Sequence, residues 1–473
     1  MANFSKASLN ARRWLLAAAL AASVLASLDL FVVNLAFASI SASFPTATPQ
    51  TMSWILNAYG ITFAALLVPA GRLADRFGAL RLFRAGLGLF TLGSLLAALA
   101  PGIGLLIFSR GMQGLGAAMV VPTSLALLLA RHPRGQHKRM VSLWGASGSV
   151  AAAAGPVLGG LLSEHDWRWI FLVNVPLAAF ALLSTRRVEK DRPVASKTPD
   201  LLGVALLALG IGALVTALSY ASDWGMSSPW LWFAVAVSGG AAAWFIRRCR
   251  VHDAPAMDLG VFRERTFSVA ALGMAGFYVG FAVMLLGGSL FLTHVQGWSP
   301  TVAGLGFAVG PGTAVVAALA AGRTSLAPRW LAALGGAFFV AGGTLWYFLL
   351  DGQSPYFPVF FVGLILTGAG AGIAQTGFLS AGVGGLHAEF YAAGTGALNT
   401  SRQIGSALGV AVLIVLTGAG TDGSSYQAAW LVMACAGFAG TLSALLMRPR
   451  PGRREGVENA GTAADVRPAT MAH

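Results

Sequence analysis

The sequence predicts an all-α polytopic membrane protein, and three observations lead to that fold class. Of its 473 residues, 56% are hydrophobic and only 10% are charged, whereas soluble globular proteins carry about 25% charged residues. The apolar residues form fourteen runs, each close to the roughly 20 residues that a helix needs to cross a bilayer. Basic residues gather in every second connection between those runs. Together these features exclude a water-soluble fold.

The fourteen apolar runs are separated by polar or Pro- and Gly-rich turns. They lie near 14–37, 52–70, 82–100, 104–130, 141–162 and 168–185, then 200–221 and 229–246, then 267–292, 301–321, 330–350, 357–380, 395–418 and 428–447. The first run exceeds the roughly 7–15 apolar residues of a signal peptide, so we expect it to stay as a membrane helix. The tail 448–473 is charged and rich in Gly, Pro and Ala, which predicts a disordered segment.

The net charge of +14 indicates membrane topology rather than nucleic-acid binding. If both termini are cytoplasmic, the positive-inside rule requires every second loop to be basic. All but three of the 31 Lys and Arg residues fall in those loops or at the termini, the exceptions being Arg110, Arg168 and Arg402. The pattern predicts a multi-pass membrane protein with both termini cytoplasmic. Because the sequence shows no recognisable organelle-targeting signal, we expect that membrane to be the cell (inner) membrane. The charge pattern predicts the lipid bilayer, and no nucleic acid, as a partner.

The energy source is constrained by what the sequence lacks. No phosphate-binding loop motif is present, so any pumping is expected to use an ion gradient rather than bound ATP. The two cysteines, Cys249 and Cys435, show no metal-ligand spacing. We therefore expect no cofactor and no metal.

The main charges inside the apolar runs are Asp29, Arg110 and Arg402. A charge inside a membrane costs at least a few kcal/mol, so each is a functional hypothesis by default. Burial disfavours the ionised carboxylate of Asp29, which makes it the first candidate for a proton or cation site. The competing interpretation is a structural ion pair, or, for Arg402, a side chain that extends to the membrane surface.

The connection after the second run reads GRLADRFGALR from Gly71 to Arg81. Gly71 and Gly78 allow a tight turn at the membrane surface. Asp75 stands among arginines at the predicted start of the third helix, where backbone N–H groups and Arg side chains can bind it. Such a cluster can latch two helix bundles on one side of the membrane, and the spacing favours this gating role over an ordinary basic loop.

Two further runs carry patterned small residues. In the fourth, RGMQGLGAA from Arg110 places Arg110, Gln113 and Gly114 on one helical face, polar beside small. The fifth has small residues at 145, 148, 152, 155 and 159, which predicts close helix packing. Pro156, in the segment GPVLGG, is expected to bend that helix.

These motifs together resemble the major facilitator superfamily. The Gly71–Arg81 segment resembles its cytoplasmic signature, the Arg110 segment its proton-coupling motif, and GPVLGG its antiporter motif, which marks exporters. LDLFVVNLA from Leu28 and GALNTSRQIG from Gly396 are similar to motifs of the fourteen-helix drug:proton antiporter branch, although Phe31 stands where that branch usually has Thr. The resemblance runs from about Trp14 to Met447.

The resemblance implies two six-helix bundles that rock around a central cavity, with two extra central helices. It implies an N-terminal bundle in 1–190, the extra pair in 191–255, a C-terminal bundle in 256–447 and a cytoplasmic tail in 448–473. The implied site residues are Asp29, Asn34, Arg110, Gln113 and Arg402 for proton coupling or the cavity, Gly71, Asp75, Arg76, Gly78 and Arg81 for gating, and Gly148, Gly155, Pro156, Gly159 and Gly160 for the antiporter motif.

The resulting functional expectation is export of amphipathic or cationic small molecules in exchange for protons. Two alternatives keep the fold and change the cargo: a dedicated exporter of one metabolite, or an importer. A third is a membrane-embedded enzyme or receptor, which requires clustered His, Asp or Ser residues. The sequence shows no such nucleophile–base cluster, so no enzymatic activity is expected.

Overall fold

A computed structural model of the chain describes residues 2–133, 136–186, 188, 200–351, 353–386, 390–417 and 424–447. Within these ranges every regular element is helical, which confirms the all-α class. Thirteen of the described helices are long and apolar enough to cross a membrane, and Trp169–Ser184 is a shorter apolar helix at the place of the sixth predicted span. The predicted disordered tail, 448–473, lies outside the described residues.

Fourteen helical segments follow the order of the predicted spans. They are α1 Ala2–Ser43, α2 Pro49–Phe77, α3 Ala79–Ala98, α4 Ile103–Ala130, α5 His137–His165, α6 in two pieces, Trp169–Leu172 and Asn174–Ser184, α7 Leu201–Ser219, α8 Pro229–Val251, α9 Arg265–Leu290 with the turn Phe291–Val295, α10 in two pieces, Pro300–Phe307 and Val309–Ala321, α11 Pro328–Leu349, α12 Phe361–Gly384 after the turn Tyr356–Phe360, α13 Tyr391–Thr417 and α14 Ser424–Leu446.

Prolines explain why α6 and α10 each have two pieces. Proline has no N–H group and cannot donate to the carbonyl four residues earlier. Pro176 leaves the carbonyl of Leu172 without this donor, and the first piece of α6 ends at Leu172. Pro311 stands in the same relation to Phe307, where the first piece of α10 ends. Pro156, by contrast, lies inside an uninterrupted α5.

The helices pack in two groups. In the first, α1 packs on α5, and α4 packs on both α2 and α3. In the second, α11 packs on α12 and α14, and α9 packs on α13 and α14. Glycine permits the closest approaches: a Cβ atom on Gly86 of α3 would lie 2.9 Å from the carbonyl oxygen of Gly116 on α4. The bundle boundaries at 190 and 255 remain predictions, and residues 189–199 lie outside the described part.

The two groups touch along three seams. We call the helix ends near the Lys- and Arg-rich loops the basic side. Toward the opposite side, α5 packs on α10, and the Ser289 hydroxyl of α9 donates to the carbonyl of Asn34 on α1 at 3.1 Å. In the middle of the helices, α2 packs on α13, where the Thr400 hydroxyl donates to the carbonyl of Ala64 at 3.1 Å.

The extra pair consists of α7 and α8, and α7 packs against both helix groups. Ile211 and Val215 of α7 pack in one cluster with Ile61 of α2 and with Ala407 and Ala411 of α13. α7 therefore covers the seam between α2 and α13 along one side.

On the basic side, an ion pair of 2.8 Å joins Asp200, before α7, to Arg248 of α8. Burial raises the pKa of Asp200, but hydrogen bonds from Arg248 and from the N–H of Gly203 bring that pKa below its ordinary value. The aspartate is therefore ionised at neutral pH and holds the basic-side ends of the two helices together.

Candidate functional site in the membrane interior

The site centres on an ion pair between two intramembrane charges. Asp29 of α1 and Arg110 of α4 are each only 1% exposed. The Arg110 Nη1 atom lies 2.6 Å from the Asp29 Oδ2 atom. The sequence predicted each charge separately, and the packing of α1 and α4 brings them together.

The Arg110 guanidinium is held on several sides. Its Nε donates to the backbone carbonyl of Ile55 on α2 at 2.9 Å, and its Nη1 donates to the Gln113 side chain at 2.7 Å. Its Cζ atom lies 4.5 Å from the centre of the Tyr59 ring, which adds a cation–π contact. The planar guanidinium suits these simultaneous contacts, and a lysine ammonium would not reproduce them.

The second oxygen of Asp29 also accepts two hydrogen bonds. Gln113 Nε2 donates to Oδ1 at 3.2 Å, and Asn174 Nδ2 donates to the same atom at 3.0 Å. Gln113 Nε2 additionally donates to the Ser94 hydroxyl at 2.8 Å. The carboxylate therefore joins α1, α4 and α6, and Gln113 extends the network to α3.

Both oxygens of Asp29 thus face hydrogen-bond donors. An ionised carboxylate only accepts, and a protonated one must donate from one oxygen. A proton on Oδ2 would point toward the Arg110 guanidinium, and a proton on Oδ1 toward two amide N–H groups. The arrangement of donors around Asp29 is therefore complementary to the charged carboxylate.

Four groups of this network were not predicted from the sequence: the side chains of Asn174, Ser94 and Tyr59 and the carbonyl of Ile55. Asn174 carried a signal, a polar residue inside an apolar run, and it opens the second piece of α6. Ser94 lies in the apolar interior of α3, where serine is common and carries little information. No sequence signal marks a backbone carbonyl, because every residue has one.

Two other predicted cavity residues lie apart from this network. The Asn34 side chain donates to the carbonyl of Leu30 in its own helix at 2.8 Å. The Arg402 guanidinium of α13 lies 5.7 Å from the centre of the Tyr278 ring on α9. The buried Arg402 Nε has no hydrogen-bond partner among the described residues. Arg402 therefore places a second cation in the other helix group.

The predicted gating loop is mostly helical. The expected second span ended near residue 70, but α2 continues to Phe77, so Gly71 and Arg76 are inside the helix. The turn is Gly78 alone, whose φ of 92° is rarely adopted by residues with a Cβ atom. Arg81 is exposed at the start of α3. The side chain of Asp75 lies outside the described part of the chain.

Arg72, in the same segment, makes a connection that the sequence did not predict. Its Nη1 donates to the carbonyl of Pro255, beyond the end of α8, at 2.7 Å. The bond ties the basic-side end of α2 to the segment between α8 and α9.

The antiporter-motif residues of α5 face two different helices. Gly148, Gly155 and Gly159 face α1: Cβ atoms there would lie 2.9 Å from the Ser23 hydroxyl oxygen, 2.6 Å from the Phe31 Cβ and 2.8 Å from the Val32 carbonyl oxygen, respectively. A Cβ atom on Gly160 would instead overlap the carbonyl of Pro300 on α10. In return, a Cβ atom on Gly304 of α10 would overlap the carbonyl of Pro156.

We expect a strong energetic coupling between Asp29 and Arg110. Removing one partner of a buried ion pair costs about 3–5 kcal/mol, because the other charge stays buried and unpaired. In a cycle of Asp29→Asn, Arg110→Gln and the double variant, the double variant should lose about 1–3 kcal/mol less than the sum of the single losses. The measurement is the free energy of unfolding in detergent micelles by chemical denaturation.

The matched control for this cycle is the exposed pair of Asp166 and Arg168. Their charged atoms are 3.5 Å apart, and their side chains are 43% and 40% exposed. Exposed pairs contribute about 0–1 kcal/mol. Equal coupling energies in the two cycles would contradict the role assigned to burial.

The described residues contain no group of three or more His, Cys, Asp or Glu that could hold a metal ion. The network around Asp29 contains one carboxylate, one guanidinium and the neutral amides of Gln113 and Asn174.

The family model described as Major Facilitator Superfamily matches residues 19–410. The chain is 33% identical over 412 residues to Multidrug resistance protein Stp of Mycobacterium tuberculosis, covering 85% of this chain and 74% of that protein. It is also 33% identical over 428 residues to Cephamycin export protein CmcT of Amycolatopsis lactamdurans, covering 85% and 84%.

A solved structure with a similar fold is that of a mutant form of the nucleoside transporter NupG. It superimposes with a TM-score of 0.66 at 11% sequence identity, covering 93% of this chain and 100% of NupG. At this identity the similarity establishes the fold alone.

Proposed function

The chain belongs to the major facilitator superfamily, and from that premise we propose that it exports amphipathic or cationic small molecules across the cell membrane in exchange for protons. Membership establishes a membrane transporter of small molecules and excludes the enzyme alternative. The exchange for protons and the type of cargo are the proposed steps.

The observation that carries the proposal is the donor-only environment of Asp29. Its two oxygens accept from Arg110, Gln113 and Asn174, so a proton on either oxygen replaces an attraction with a donor–donor repulsion. A relative shift of α1, α4 and α6, which carry these groups, would relieve that repulsion. Proton binding is thereby coupled to helix rearrangement, which an antiporter requires.

Exchange also requires that proton and cargo favour different states. A ligand that binds both states equally shifts no equilibrium, however tightly it binds. Deprotonated Asp29 is paired with Arg110 in the described state, and protonation leaves Arg110 as a buried, unpaired cation. That change disfavours the described state and drives the transporter toward another.

The direction and breadth of transport rest on the relatives. Stp is named as a multidrug resistance protein and CmcT as a cephamycin export protein, and both names support export rather than import. CmcT also supports the second candidate, a dedicated exporter of one metabolite. The inner-membrane location with cytoplasmic termini is supported by the bacterial relatives and the basic-side pattern.

The test uses the purified full-length chain in proteoliposomes with ethidium, a lipophilic cation, outside. An acidic lumen should drive ethidium inward against its gradient, and nigericin, which collapses the pH gradient, should abolish the accumulation. A cephalosporin serves as the second probe. Gradient-driven movement of both supports a broad exporter, and movement of the cephalosporin alone supports a dedicated one. Transport of the probes at the same rate with and without the pH gradient would rule out proton exchange.

A further inference from the structure

A basic groove opens at the membrane surface between the ends of α2 and α8. Its volume is about 1020 Å³. The lining side chains come from the last turn of α2, the last turns of α8 and the turn that follows α8. The polar and aromatic side chains among them are Arg76, Trp244, Arg247, Arg248, His252 and Asp253.

The charge of the groove is positive. Three guanidinium groups line it against one carboxylate, Asp253. Arg248 is already paired with Asp200, whereas Arg247 is exposed. Guanidinium groups bind phosphate oxygens with paired hydrogen bonds, so the chemistry fits a phosphate-bearing ligand.

The position of the groove favours a ligand that also has acyl chains. It lies at the end of the membrane span Pro229–Val251. Trp244 in its wall is 54% exposed and Phe77 at the end of α2 is 47% exposed. Aromatic side chains of this kind lie at the depth of the lipid headgroups. A ligand here can place its phosphate on the arginines and its chains along the exposed apolar face of α8.

The groove differs from an ordinary basic loop because hydrogen bonds fix the segments that line it relative to one another. Arg72 of α2 holds the carbonyl of Pro255 at 2.7 Å. The N–H of Asp200 donates to the carbonyl of Ala254 at 3.0 Å. Both bonds hold the turn that carries His252 and Asp253 against the helix ends, so the arginines from α2 and α8 converge without a ligand.

We propose that this groove binds the headgroup of an anionic phospholipid of the inner leaflet. Basic pockets between membrane helices on the cytoplasmic side bind such headgroups. The bound phosphate bridges Arg76, in the predicted gating segment, and Arg247, in the extra helix pair. The proposal concerns the surface of the protein and holds whichever cargo the transporter moves.

The experiment is native mass spectrometry of the full-length chain in detergent, with phosphatidylglycerol or phosphatidylcholine added. Wild type should retain phosphatidylglycerol preferentially, and Arg247→Gln should reduce that retention about 10-fold, as expected for a lost charge-assisted phosphate contact. Arg250→Gln is the matched control: it removes the same charge three residues away on the same helix, from an exposed position outside the groove lining.

Asp253→Asn should have the opposite effect. Removing the negative charge from the groove lining should increase the retention of phosphatidylglycerol. Equal losses for Arg247→Gln and Arg250→Gln would overturn the proposal in favour of diffuse surface charge. No loss for Arg247→Gln would overturn it outright. Glycerol 3-phosphate distinguishes the two phosphate sources. If it displaces phosphatidylglycerol at equal concentration, the groove is a site for soluble anions and the lipid proposal fails.

Discussion

Asp29→Asn should reduce pH-gradient-driven ethidium transport in proteoliposomes to background, at least 10-fold below wild type. Asparagine has nearly the same shape as aspartate but neither carries the charge nor takes up the proton. Its amide group also presents N–H donors where Arg110 already donates. Two rates are measured. The first is the initial rate of dye accumulation with an acidic lumen, and the second is the rate of dye exchange with equal pH on both sides of the membrane.

The comparison of the two rates separates coupling from binding. If Asp29 carries the proton, Asp29→Asn loses the driven rate and keeps exchange at equal pH. Loss of both rates would make Asp29 a cargo ligand or a structural group. If Asp29→Asn keeps the wild-type rate of gradient-driven transport, Asp29 has no part in proton coupling. Asp29→Glu keeps a titratable carboxyl and should retain part of the driven rate.

The matched control for Asp29→Asn is Asp223→Asn. Asp223 is an exposed acid in the short helix Ala221–Trp224, on the side opposite the basic loops. Its neutralisation should leave both rates unchanged. A similar loss in this variant would indicate that general surface charge, rather than the buried network, controls transport.

Gly304→Ala should open the seam between α5 and α10 and lower transport at least 10-fold. The added methyl group would overlap the carbonyl of Pro156, which lies in the other helix group. Overpacking of this kind costs about 1–3 kcal/mol. If the transporter has a second state in which this seam is open, the substitution destabilises only the closed state. The equilibrium between the closed and open states then shifts by about 5–150-fold.

The shift can be measured as a distance across the seam. Spin labels at cysteines replacing Glu164 and Ser299 report the separation of the α5 and α10 ends by pulsed electron paramagnetic resonance, with Cys249 and Cys435 replaced by Ser. Gly304→Ala should increase the long-distance population. Gly160→Ala, which would overlap the carbonyl of Pro300 from the other side of the seam, should act in the same direction.

Gly145→Ala on α5 and Gly312→Ala on α10 are the controls for the seam. A Cβ atom at either position meets no atom within 4 Å. Alanine is the better helix former, so these variants should fold at least as well as wild type and keep its distance distribution. If they shift the distances as Gly304→Ala does, the effect comes from helix propensity and not from the seam.

Part of the site was predictable because charge inside a membrane is costly wherever the chain places it. Asp29 and Arg110 stood out for that reason, and Gln113 through its helical spacing from Arg110. Asn34 is an uncharged polar residue in the same apolar run as Asp29, yet its side chain donates within its own helix. Polarity in an apolar run therefore identifies candidates, and the direction of the side chain decides which of them meet.

The glycine pattern of α5 shows the same division. Spacing predicted close packing along the small-residue stripe that includes Gly159, which meets α1. It did not predict that the neighbouring Gly160, off that stripe, meets α10. Consecutive residues of a helix point about 100° apart, so one motif contacts two helices. Which helix lies on each side depends on the arrangement of the bundle.

The sequence by itself determined the all-α membrane class, the order of the spans and the basic-side pattern, because hydropathy and charge act on each segment independently of its neighbours. Only the tertiary structure decided the partners of Asp29. Asn174 is 145 residues away along the chain, and the hydrogen bonds of about 3 Å to Asp29 form only when α1, α4 and α6 pack in one particular arrangement. That arrangement surrounds the carboxylate with donors alone, and it supports a proton-coupled function for what the sequence showed as an isolated charge.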